Sequence, residues 1–499
     1  MQNDLNKKIG KAAGWSSVTE IAAKLVSPIV NMVLARLLAP EEFGVVATIT
    51  MVISFAELFI DAGFQKYIIQ HEYKDEDELN RSSNVAFWTN LGVSVLICMV
   101  IFFLRHSIAE LVGSPGLGNS ISVASIIMLI GSFSSIQMAR FKRLLDFRTL
   151  FFVRMGGALV PLVITVPLAF ALRNYWALLI GNICCQLFTA VLLTVKSSWR
   201  PSFSYSFRLL REMLSFSIWT LLESVSIWLT TYVDVFIVGR LLSEHYLGLY
   251  KTSMTTVNSY MALITSAITP VIFSALSRYQ NDDRRFSDTY YKFQRLAAVF
   301  VIPMGVGIYL FRDLVTGILL GAEWMEISDF VGLWGLTGAL TVVFSHFASE
   351  VYRSKGNPKV SLVIQLIHIA FIVPTILLSL RAGGFEALYT SRALVRLQLI
   401  LSAMVTMQVL YKFRIRDMIK NVAPMIVCSV IMGVVGAVGD MLCGGNVLCR
   451  FLVIALCVVV YFAALLLLFP KECRQITGAE SLSELRKKAA GKIAGVLRK

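Results

Sequence analysis

Ten ionisable side chains lie inside long apolar runs of the sequence: Glu20, Lys24, Glu57, Asp61, Arg154, Glu223, Asp234, Lys251, Arg392 and Arg396. Charge in an apolar helix is costly, so each is a candidate for function unless a partner neutralises it. Arg392 and Arg396 stand one helical turn apart, so on a continuous helix they share a face. Helical rise places Arg396 about 15 Å from the outer end of its run, near mid-depth. A guanidinium there needs water, a carboxylate from another helix, or a phosphate, to which its fork is well matched. Two readings stay open: both arginines hold an anion, or they pair with Asp234 or Glu223 as a latch. Glu20 and Lys24 can pair with Glu57 and Asp61, and Asp234 can pair with Lys251 on the adjacent run. Asp234 and Asp61 are also candidates for an ion that couples to movement.

Other residues carry less. His346 and His368 suit helix-to-helix hydrogen bonds better than proton carriage. Arg154 can snorkel to the near surface, and Trp219, Trp228, Tyr232 and Phe236 suit packing, with sugar stacking as the alternative. No Cys, His or carboxylate spacing suggests a metal, and no cofactor is expected. Cys443 and Cys449 share a short loop, and would form a disulfide only if it faces an oxidising compartment. Pro28 and Pro270 permit bends.

The elements that must position these groups are helices. Of 499 residues, 57% are hydrophobic and 15% charged, which is too apolar for a soluble chain. Apolar runs of roughly 20 residues, the length that crosses about 30 Å of hydrocarbon, recur about fourteen times. They lie near 16 to 38, 44 to 64, 82 to 104, 119 to 140, 151 to 172, 176 to 196 and 213 to 239, then near 246 to 274, 292 to 311, 328 to 349, 359 to 380, 386 to 410, 421 to 440 and 450 to 469. The fold expected is an all-α polytopic membrane protein. No connection is long enough for a soluble catalytic domain, which needs about 50 residues.

Lysines and arginines orient the spans. The even-numbered connections and the two ends carry 34 of the 46, against seven on the odd connections. By the positive-inside bias both termini are cytoplasmic. The net charge of +15 is thereby accounted for by a basic inner face beside anionic lipid, without nucleic acid. The last residues, from Ser481 and Glu484 onward, carry Leu482, Leu485, Ala489, Ile493 and Leu497 close to one stripe, as in an amphipathic surface helix; a solvated tail is the alternative.

The sequence repeats itself. ARLLAPEEFG from Ala35 returns as GRLLSEHYLG from Gly239, and Trp15, Arg36, Leu37, Leu38 and Gly44 recur as Trp219, Arg240, Leu241, Leu242 and Gly248 at a constant offset of 204 residues. Six spans separate the copies, so they run the same way through the membrane as parallel repeats. The organisation expected is a six-helix lobe over 1–205, a second over 206–411, two extra spans over 412–470 and a basic tail over 471–499.

The order and spacing of AAGWSS, VLARLLAPEEFGVVA, FIDAGFQKYIIQHE, LGLYKTS, ITPVIFSALSRYQND and GAEWMEI resemble the Wzx-like polysaccharide flippases of the multidrug/oligosaccharidyl-lipid/polysaccharide exporter superfamily, most of all the colanic acid type. The resemblance covers nearly the whole chain. It implies two lobes, 12 to 14 spans, and movement of an undecaprenyl-pyrophosphate-linked glycan to the outer leaflet of the bacterial inner membrane for surface polysaccharide synthesis. Alternating access without covalent chemistry is the mechanism it implies, with membrane lipids and a polysaccharide polymerase as further partners. On this reading Arg392, Arg396, Lys24, Glu20, Asp234, Lys251 and Glu223 are the cavity residues. Competing readings are a drug or cation antiporter of the same superfamily, which typically has twelve spans, and a membrane glycosyltransferase or ligase, which would require an acid/base pair in a large outward loop.

Overall fold

A computed structural model describes residues 24–61, 64–357 and 359–470. Glu20, Trp15 and the stripe after Ser481 lie outside the described residues, as do the side chains of Asp61, Trp219 and Glu223. Among the described residues there is no strand, and 12 helices are long and apolar enough to cross a membrane. The first eight residues of the expected first span, 16–23, lie outside the described residues, and the rest is helical over 24–37. The candidate Lys359–Tyr411 covers two expected spans, because the backbone leaves the helix only briefly, at Gly383 and Gly384. The architecture is all-α and polytopic.

Local chemistry sets the helix ends. Glu76–Leu111 is 36 residues long. At a rise of about 1.5 Å per residue it extends about 54 Å, so it outruns the hydrocarbon. Asp75 caps it by accepting from the Glu78 amide at 2.8 Å, while Glu78 Oε2 accepts from the Lys74 amide at 2.8 Å. Two donors at the helix start are thus satisfied reciprocally. Asp282 caps Asp283–Leu310 in the same manner through the Arg285 amide. Large apolar side chains such as Phe103, Val163 and Leu452 stand outward, as lipid-facing residues do.

The chain packs as two compact units. One comprises residues up to Ser266 with Thr316–Ile327 and Leu362–Val395; the other comprises Ala267–Val315, Ser328–Ser361 and residues from Arg396 onward. In the first, Val45, Ile49 and Ile53 of the helix Pro40–Asp61 bury against Ile121, Ala124, Met128 and Leu179. Phe64, Ile68, Phe87, Ile136 and Trp199 form a separate core there. In the second, Asp283–Leu310 packs closely on Ser328–Thr341, with Gly335 seated beneath Ile308. Small residues permit such an approach, as is usual in lipid. His346 meets Thr269 at 3.2 Å, the helix-to-helix bond its position suggests.

In the first unit the two copies of the repeated phrase meet each other. A methyl group at Gly44 would fall on the carbonyl oxygen of Glu244, and one at Gly248 on that of Pro40. Each would also stand 3.0 Å from the amide nitrogen of the other glycine. The arginines reciprocate. Arg240 bonds the carbonyls of Glu110 and Leu111, and its backbone lies against Gly113; Arg36 bonds the carbonyl of Ile318 at 2.8 Å and lies against Gly321. His245 bridges Glu41 at 2.7 Å and Glu326 at 3.2 Å, and Trp324 donates to the Ala35 carbonyl at 2.8 Å.

Candidate functional site

Three helices of the first unit bring together the charges that matter most. Phe207–Leu241 carries Asp234, Glu244–Arg278 carries Tyr250 and Lys251, and Lys359–Leu394 carries Arg392. Asp234 is 1% exposed, Tyr250 0% and Arg392 5%, so the cluster is dry. Asp234 Oδ2 accepts from Arg392 Nε and Nη2, both at 3.2 Å, and from the Tyr250 hydroxyl at 2.9 Å. Its other oxygen accepts from the Val235 amide at 2.8 Å. Donors thus meet both carboxylate oxygens, and the ion pair cancels to zero net charge.

Lys251 is the charge left over. The expected pairing with Asp234 does not form, because Arg392 and Tyr250 occupy that carboxylate. The Lys251 ammonium instead lies 4.9 Å from the Tyr232 ring centroid, where the ring face attracts it. Tyr232 begins a short aromatic ladder. It stacks on Trp228 at 5.5 Å, Trp228 lies 4.8 Å from Phe55, and the Trp228 indole donates to Ser54 Oγ at 3.0 Å.

Ser54 opens onto a cavity of mixed lining, in which Val46, Ile49, Ile53 and Leu179 stand beside the polar groups. A cavity of about 340 Å³ is bounded by Thr50, Ser54, Glu57, Asn182 and Gln186, and one of about 390 Å³ by Ser27, Asn31, Arg154 and Thr189; Cys185 lines both. Asn182, Cys185, Gln186 and Thr189 lie along Trp176–Lys196. Their helical spacing makes one face of an otherwise apolar span polar. Reasoning from ionisable groups alone passes over Thr50, Ser54, Asn182 and Gln186. The signal that reveals them is this polar stripe. Arg154, placed by its sequence position to snorkel, borders the second cavity, and Glu57 borders the first.

The two arginines do not act as one pair. Helix Lys359–Leu394 passes to Arg396–Tyr411 at Val395, whose amide still bonds the Ser391 carbonyl at 2.8 Å, so the two arginines differ in their partners and not through a break of the backbone. Arg392 takes the ion pair with Asp234. Arg396 belongs to the second unit, where its guanidinium lies 3.1 Å from the Trp334 ring centroid and Nη1 donates to the Trp334 carbonyl at 3.0 Å. Lys24 is half-buried at the start of the first described helix.

A helical membrane protein with cavities of mixed polar and apolar lining, an aromatic ladder and a half-buried ammonium beside an ion pair is of the transporter class. The chain belongs to the polysaccharide biosynthesis protein family, whose model matches residues 33–329. It is 23% identical over 378 residues to an uncharacterized membrane protein in the cps region of Klebsiella pneumoniae, covering 75% of this chain and 77% of that one. It is 21% identical over 386 residues to the lipopolysaccharide biosynthesis protein WzxC of Escherichia coli K12, covering 76% and 77%. The fold is similar to that of the lipid II flippase MurJ in an inward closed conformation, with TM-score 0.75 and 13% identity over 92% of this chain and 99% of that one.

Proposed function

We propose that the protein flips an undecaprenyl-pyrophosphate-linked oligosaccharide from the inner to the outer leaflet of the bacterial cytoplasmic membrane, by alternating access and without covalent chemistry. The observation that carries this is the half-buried Lys251 beside the buried Asp234–Arg392 pair, a cluster of one net positive charge next to the Trp228–Tyr232 ladder. A desolvated cation attracts phosphate strongly, and indole and phenol faces suit the apolar faces of sugar rings. The family and the names of the relatives support the same cargo.

In this reading Lys251 meets the pyrophosphate and Arg392 is the latch that stiffens the floor beside it. Lys24, Glu20 and Glu223 are cavity residues, Arg396 is taken up by Trp334 in the second unit, and Asp61 is the acid left for ion coupling because Asp234 is held by Arg392 and Tyr250. The lobes are 1–205 and 206–411, both termini are cytoplasmic, and the exported glycan passes to a polymerase. The physical need is clear: a glycan head cannot cross hydrocarbon unaided, whereas a wet path open sideways lets the polyprenyl tail stay in lipid. The test is deletion of the gene followed by leaflet-resolved analysis of lipid-linked glycan. Accumulation on the inner leaflet, reversed by the wild-type gene and not by Lys251→Gln, is the expected result; unchanged export by Lys251→Gln refutes the assigned contact.

A further inference from the structure

A further cavity belongs to the second unit and shares no residue with the cluster of Asp234, Arg392 and Lys251. It measures about 690 Å³ and lies between the second to fourth turns of Asp283–Leu310 and the first two turns of Ile415–Leu442, bounded by Asp288, Lys292, Arg295, Asp417, Lys420 and Asn421. We infer that it is a binding site for the headgroup of an amine-bearing phospholipid of the phosphoethanolamine class.

The site is built. Asn421 Oδ1 accepts from Arg295 Nε at 3.1 Å and Nη2 at 2.6 Å, and Asn421 Nδ2 donates to the Tyr291 carbonyl at 2.9 Å and to Gln294 Oε1 at 3.0 Å. Asn421 is buried and Gln294 is fully buried, so the Arg295 guanidinium is held in place before any ligand arrives. Lys292 and Lys420 stand exposed beside it, as do Asp288 and Asp417. Three cations and two carboxylates around one cavity are a mixed set. A phosphodiester satisfies the cations, and an ethanolamine ammonium brings three N–H donors to the carboxylates. A glycerol headgroup would bring no ammonium to the carboxylates, and a choline would bring charge but no donor.

A place for the acyl chain is offered on the same helix. An apolar cavity of about 360 Å³ lies farther along the same helix, bounded by Val299, Phe300 and Met304 with Met432 and Tyr461. From Lys292 to Phe300 is about 12 Å of helix, the reach from headgroup level into hydrocarbon. The inference rests on the membrane-spanning reading of these helices and is independent of the glycan.

The experiment is titration of delipidated full-length protein with phospholipids of matched acyl chains, read by native mass spectrometry. Phosphatidylethanolamine should bind at least about tenfold more tightly than phosphatidylglycerol or phosphatidylcholine, a difference of about 1.4 kcal/mol. Lys292→Gln/Lys420→Gln should lose that binding, and Asp288→Asn/Asp417→Asn should abolish the preference over phosphatidylglycerol. Soluble glycerophosphoethanolamine, lacking chains, should not bind at the same concentrations; equal binding by it would assign the site to a free phosphodiester and overturn the lipid. Equal binding of all three lipids, a preference for phosphatidylglycerol, or variants that bind as wild type would each overturn the proposal. No transport is measured, so failure of glycan export leaves this result standing, and the reverse also holds.

Discussion

Alanine at Gly44 or Gly248 tests whether the meeting of the two repeat copies is a closure that opens during transport. Each added methyl would fall on a backbone carbonyl, of Glu244 or of Pro40, so no side-chain rotation can make room and the helices must part. Overpacking of this kind costs typically about 1–3 kcal/mol. If the cost falls on the closed form alone, the balance between open and closed shifts by about 5- to 150-fold. Cys185 lines both cavities of the first unit and is a native reporter. In intact cells, a membrane-impermeant maleimide should label Cys185 faster in Gly44→Ala and Gly248→Ala than in wild type, quantified by site-resolved mass spectrometry. Gly131→Ala is the control, because a methyl there meets nothing within 4 Å. Labelling and export at the control rate in both variants would refute the reasoning.

Further perturbations address other parts of the site. Asp234→Asn or Arg392→Gln alone strands a buried charge at a cost of about 3–5 kcal/mol, so the yield of folded protein should fall in size-exclusion analysis, and Asp234→Asn/Arg392→Gln together should recover it. Lys251→Gln should fold normally and lower export at least about tenfold, the loss of one charge-assisted contact worth about 1.5–3 kcal/mol. Asn182→Ala/Gln186→Ala should remove the polar stripe without unfolding the helix and slow export measurably in a whole-cell glycan assay. Cys443 and Cys449 form a disulfide. Both thiols should resist alkylation until a reductant is added, and their joint replacement by serine should lower stability by about 2 kcal/mol for so short a loop; alkylation without reductant would place that loop in a reducing compartment.

Much of the helical frame is legible from run length, because hydrocarbon thickness dictates how many apolar residues a span requires. Helical rise also gives depth, but depth names no neighbour. Asp234, Lys251 and Arg392 all stand out in the sequence as costly charges, yet which cation takes the carboxylate depends on how three helices pack. Arg392 and Arg396 stand one turn apart, yet one pairs with Asp234 and the other lies on Trp334, a difference that spacing alone does not announce. Thr50, Ser54, Asn182 and Gln186 escape notice for a different reason. Uncharged polar groups cost little individually in a span, so only their shared face distinguishes them from ordinary packing.

The doubled phrase carries one more consequence. Gly44 faces Glu244 as Gly248 faces Pro40, and Arg36 serves Gly321's loop as Arg240 serves Gly113's. That is the self-complementary form of an isologous dimer contact, written here within a single polypeptide. Half of the seal is therefore supplied by each half of the sequence, and neither half expressed alone could assemble it except by meeting a second copy of itself.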